Sequence, residues 1–115
     1  MHVHELGVIK AALKTLDAFC EENDIDEVDT IVLQIGELSG VIASYLEELY
    51  PAAVYQTKYE NMKLRVEEEE GVAVCRDCKR AFNVIKNEGR CPRCGKKNAD
   101  VISGRDFLIK EILVP

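Results

Sequence analysis

Histidine is absent after position 4; the 115 residues hold two, His2 and His4, at the extreme amino terminus. No Ser-His-Asp set can therefore be assembled, and no phosphate-binding loop or open catalytic metal site is legible, so an enzyme is not expected. No stretch of 18 apolar residues occurs, so nothing reads as a membrane-spanning helix. No basic segment precedes a short apolar run at the start, so no secretory signal is expected. These absences point to the cytoplasm, where thiols stay reduced. Low-complexity tracts and domain-length repeats are also missing, which leaves one ordinary domain or a small core with an appended module.

What is present is unevenly distributed. Net charge is −6, yet Gly71–Ser103 carries eight Lys/Arg against three acids, a net +5. The rest of the chain then carries −11. The sequence predicts two modules: an acidic one over 1–70 plus 104–115, and a basic insert over 71–103.

In the acidic module, Leu6, Ile9, Leu13, Leu16 and Cys20 recur at steps of three and four, which predicts a helix over His4–Glu21. Cys20 on that face reads as core packing. "TIVLQIG" predicts a strand over Thr30–Gly36, followed by a turn, "GELSG". Helical spacing returns from Val41 to about Gln56, where Pro51 should kink or split the helix. "MKLRVEEEE" and "RDFLIKEILV" predict two further strands. The expected fold is α+β: a three-stranded sheet covered by two helices, with the basic insert between the second and third strands.

The insert holds Cys75 and Cys78, then Cys91 and Cys94, each pair spaced C-x2-C and the pairs twelve residues apart. Two such knuckles can aim four thiolates at one tetrahedral Zn(II). Pro92 fixes a backbone angle in the second knuckle, and Gly95 permits the turn after it. With "AFNVI" and "ADVIS" as short strands, this is the layout of a zinc ribbon. Two disulfides or a redox dithiol fit a reducing cytosol and a matched double knuckle poorly. Four thiolates leave no coordination position for water, so the zinc is structural. A basic ribbon also suggests a module that binds nucleic acid or a protein complex. Only Phe82 could stack on a base there, and the flanking module is acidic.

At the amino terminus, the Met1 amine, the following amide and the His2 imidazole can chelate one cation through fused rings. His4 can add a nitrogen and Glu5 an oxygen. Such a nitrogen-rich, planar-tending set favours Ni(II) or Cu(II) over Mg(II) or Ca(II). The same two histidines also fit ordinary surface residues.

"HELGVI", "VLQIGELSGV", "LRVEEEE", the C-x2-C/C-P-x-C-G insert and "FLIKEILV" follow one another in one order. That order resembles the HypA (HybF) family of hydrogenase nickel-incorporation proteins, over essentially the whole chain. The resemblance implies zinc at Cys75, Cys78, Cys91 and Cys94, and nickel at a Met-His-Glu amino terminus. By alignment His4 and Glu5 match that motif; by distance from the amine His2 does. A GUG codon reads as valine internally and as methionine at a start, so an initiator at Val3 would reconcile the two registers. Ile42 stands where many relatives carry an acidic residue, which leaves a carboxylate ligand from that loop in doubt. The resemblance further implies Ni(II) as cargo for [NiFe] hydrogenase maturation. It implies the GTPase HypB and the hydrogenase large subunit as partners, and in some organisms urease maturation.

Overall fold

The structure, a computed structural model, describes residues 3–115. The fold is α+β, with elements in the order α1 (Val3–Glu22), β1 (Thr30–Gly36), α2 (Ala43–Val54), β2 (Lys63–Glu69), β3 (Val72–Cys75), β4 (Ala81–Asn83), β5 (Ala99–Ser103) and β6 (Phe107–Leu113). Two three-stranded sheets form, ordered β2-β1-β6 and β4-β3-β5. The chain divides into two compact units. One comprises the chain up to Gln34, Val41–Glu67 and Leu108–Pro115; the other comprises Ile35–Gly40 and Glu68–Phe107. The boundaries read from composition lie a few residues inside this second unit, which also takes in the whole "IGELSG" stretch.

In the first unit α1 buries Glu5, Val8, Ile9, Ala12, Leu16 and Cys20, one stripe at helical spacing. Leu6 and Leu13, expected on that stripe, sit at its margin and are only half-buried. The helix stops in a left-handed cap. Asp24 takes φ +53, and the Ile25 N–H returns to the Cys20 carbonyl at 2.9 Å. α2 packs on α1 and buries Leu46, Tyr50 and Val54 at intervals of four. It runs through Pro51 as one element, so of the kink or split expected there the split does not occur. Pro51 is exposed, so its ring faces away from the packed side.

β1 is central and is buried at six of its seven positions. Asp29, just ahead of it, donates its N–H to the Leu113 carbonyl at 2.8 Å and accepts the Lys63 N–H at 2.9 Å. The strand is thereby pinned between both neighbours at one end. Two buried tyrosines tie the loops down. Tyr50 donates to the Met62 carbonyl at 2.8 Å, and Tyr59 donates to the Asp17 carboxylate.

The second unit is built around β3, a strand the sequence reading did not anticipate. It pairs antiparallel with β4 (Val72 opposite Asn83) and with β5 (Cys75 opposite Ala99). Its alternation is only four residues long and ends in Cys75, too short to register as a strand. At the unit's base three chain segments touch through glycine. A Cβ on Gly36 would lie 2.2 Å from the Gly104 carbonyl oxygen. Gly104 itself holds φ +90, and a Cβ there would lie 2.5 Å from the Cα of Gly71. Glu37 closes this junction: its Oε1 accepts the Gly71 N–H at 3.0 Å and Asn83 Nδ2 at 3.1 Å.

Candidate metal centres

The four cysteines of the second unit converge. Their sulfurs all lie within 4.8 Å of one another, with Cys75 Sγ 3.6 Å from Cys94 Sγ and Cys78 Sγ 3.4 Å from Cys91 Sγ. Four thiolates about 2.3 Å from a tetrahedral zinc ion stand roughly 3.8 Å apart, so the cluster fits that ion with little adjustment. None of the four forms a disulfide.

Local backbone chemistry explains the convergence. Each knuckle is a turn in which the residue after the second cysteine returns its N–H to the carbonyl of the first. Lys79 reaches Cys75 at 2.9 Å and Gly95 reaches Cys91 at 2.7 Å. Both turn residues are left-handed, Lys79 at φ +62 and Gly95 at φ +75. The role assigned to Gly95 from sequence is therefore filled in the other knuckle by a lysine, which no composition rule would single out.

The same turns set the thiol chemistry. N–H groups of Cys78 and Asp77 hold Cys75 below the ordinary thiol range. Those of Cys94 and Arg93 bring Cys91 down to about 6. Cys78 and Cys94 receive the N–H groups of Arg80 and Lys96, but desolvation and the adjacent thiols outweigh these and push both up, Cys94 to about 11. Without metal, the leading cysteine of each knuckle is thus the more acidic of its pair and the trailing one the less. A divalent cation at the centre removes the remaining protons.

Phe82 is 6% exposed, in a small core with Ala73, Cys75 and Cys91. It therefore cannot stack on a base, and the nucleic-acid reading loses its one aromatic contact. Two of the insert's cations are also engaged within the unit. Arg76 Nε bonds the Asp100 carboxylate at 3.0 Å, and Lys96 pairs with Asp77 at 3.5 Å.

At the other candidate centre, Met1 and His2 lie outside the described residues. His4 is exposed on the first turn of α1. Glu5, next to it, is 2% exposed. Its Oε2 accepts the backbone N–H of Ile42 at 3.1 Å, and His4 Nδ1 stands 3.9 Å from the same oxygen. Sequence gave no sign of this contact, because its partners are 37 positions apart. Cys20 is buried in the first unit, where the sequence placed it. No described helix is long and apolar enough to cross a membrane.

These features define a two-unit α+β protein with a four-thiol cluster of metal-binding geometry in an inserted ribbon. The chain belongs to the HypA family, described as "Hydrogenase/urease nickel incorporation, metallochaperone", whose family model matches residues 3–114. Among its relatives is the hydrogenase maturation factor HypA of Geotalea uraniireducens, 30% identical over 113 residues covering 97% of this chain and 99% of that protein. The factor of the same name from Streptomyces avermitilis is 31% identical over 112 residues, 96% of this chain and 86% of that one. The fold is shared with the solution structure of the Ni metallochaperone HypA from Helicobacter pylori. That structure is 19% identical, covers 96% of each chain and superposes with a TM-score of 0.70.

Proposed function

We propose that this chain carries Ni(II) in the cytoplasm to the maturing [NiFe] hydrogenase. It takes up nickel at its amino-terminal segment, Met1, His2, His4 and Glu5, and is held together in its ribbon by a structural Zn(II) on Cys75, Cys78, Cys91 and Cys94. The match to the nickel-incorporation family over residues 3–114 carries this reading. Two features of the chain support it: an exposed imidazole at the start of α1, and four sulfurs spaced for one tetrahedral ion. The acidic module presents the cargo, and the ribbon serves as a structural or docking element. HypB and the hydrogenase large subunit are the partners this role requires, with urease maturation as a second destination. Nothing in the role calls for catalysis.

Nickel titration tests the reading. Acetylating or extending the amino terminus should weaken Ni(II) binding, because it removes the amine donor. His2→Ala and His4→Ala should differ in affinity, and the weaker binder identifies the register in use. Equal, undiminished binding in all three forms would place the nickel elsewhere.

A further inference from the structure

The four cysteines of the thiol cluster do not share one environment. Cys75 and Cys91 are 0% and 1% exposed and form half of the ribbon's core, with Ala73 and Phe82. Both are also pinned through the backbone. The Cys75 N–H donates to the Arg80 carbonyl at 2.9 Å, and the Cys91 N–H to the Lys96 carbonyl at 3.1 Å. Cys78 is half-buried and packs against that core. Cys94 is exposed and lies outside this packed set. It stands within the run Pro92–Lys97, every residue of which is exposed. A Cβ on its neighbour Gly95 would meet no described atom within 4 Å, so the space beside the knuckle is open.

We infer that Cys94 is the reactive corner of the zinc site: the sulfur at which soft electrophiles modify the metal-loaded ribbon, and so the point from which the site opens. This rests on the structural-zinc reading above. With zinc bound all four thiols are deprotonated, so acidity no longer ranks them and access does. Iodoacetamide illustrates the step. A sulfur lone pair forms a bond to the methylene carbon, the carbon–iodine bond breaks, and iodide carries away the negative charge. The product is a neutral thioether, a poorer donor to zinc than the thiolate it replaces. The same reaction at Cys75 or Cys91 requires the core around Ala73 and Phe82 to open first, and is limited by that local unfolding. At Cys94 no such opening is needed. Losing that sulfur leaves Cys75 and Cys91 where core and backbone hold them.

The test uses the full chain, with its zinc content measured first by metal analysis. The zinc-loaded protein is treated with iodoacetamide to low conversion, and the singly modified species is mapped by mass spectrometry. Cys94 should be labelled at least about tenfold faster than Cys75 and Cys91, with Cys78 between them. Cys20, buried in the first unit, is the internal reference for a closed thiol. Zinc release, followed with a chromogenic chelator, should keep pace with labelling at Cys94. With zinc in excess, Cys94→Ser should keep amide protection across β3–β5 within about threefold of the wild type, while Cys91→Ser should lose at least about tenfold. The inference is overturned if Cys75, Cys78 or Cys91 is labelled first, if labelling at Cys94 leaves zinc fully bound, or if Cys94→Ser costs as much protection as Cys91→Ser. The labelling arm uses the wild type and stands where either variant fails to fold. A chain that takes up no zinc sinks the structural-zinc reading and this inference with it; a zinc-loaded chain labelled in another order sinks the inference alone.

Discussion

The two units are held together by different means. The first buries Ile9, Leu16, Ile31, Val32 and Leu46 at 2% exposure or less, drawn from two helices and a strand. The second has a core of four, Ala73, Cys75, Phe82 and Cys91, and two of these are cysteines of the thiol cluster. A core of that size does not offset the entropy of ordering some forty residues. In the ribbon the core and the thiol cluster share Cys75 and Cys91; in the helical unit the core is built of apolar side chains from the helices and a strand.

That contrast can be broken most severely by taking the metal away. A strong chelator, or Cys91→Ala, should unfold the ribbon and leave the helical signal of the first unit largely in place. Stoichiometric zinc and unchanged hydrogen exchange across β3–β5 in Cys91→Ala would refute the structural role of the ion.

The reciprocal change is Leu16→Ala. Leu16 has no exposed surface, so its truncation should cost about 2–5 kcal/mol. The loss should appear in the melting of the helical unit and not in zinc stoichiometry. If zinc retention fell in step, the two units would not be energetically distinct.

Alkali should separate them more gently. All four tyrosines lie in the first unit. Burial pushes the Tyr50 phenol up to about 12. Tyr59 is raised further by burial and by its hydrogen bond to Asp17. Each is favoured in its neutral form when folded. Their contribution is therefore complete below the ordinary phenol pKa of about 10 and is lost as pH climbs through the folded values. Circular dichroism should show the helices loosening above about pH 10, while the zinc thiolates, already deprotonated, persist. Tyr50→Phe should blunt the effect, since its ring stays and its proton is no longer at issue.

The sequence disclosed features whose cause is local and concealed those whose cause is distant. β1 was legible to the residue because a β-branched run ends in glycine, and the cysteine knuckles because two intervening residues set a thiol pair. β5 emerged intact at Ala99–Ser103 for the same reason, while β4 stopped at Asn83, short of the expected "AFNVI". The buried stripe of α1 came out rotated, with Val8 and Ala12 inside and Leu6 and Leu13 at the edge, because packing of α2 decides which side is covered. Neither the Glu5–Ile42 contact nor the seat of Glu37 under Gly71 and Asn83 has a sequence signature, since each joins residues more than thirty positions apart.

Gly71 and Gly104 bring the entrance and exit of the ribbon to within a single atom's width of each other. A segment whose ends meet interrupts the chain it leaves by little more than the width of a tight turn. It can grow or shrink at its tips over generations without disturbing the frame it leaves and rejoins. Moved elsewhere, it would have to take Ile35–Gly40 with it, since Gly36 lies against Gly104 and Glu37 accepts the Gly71 N–H.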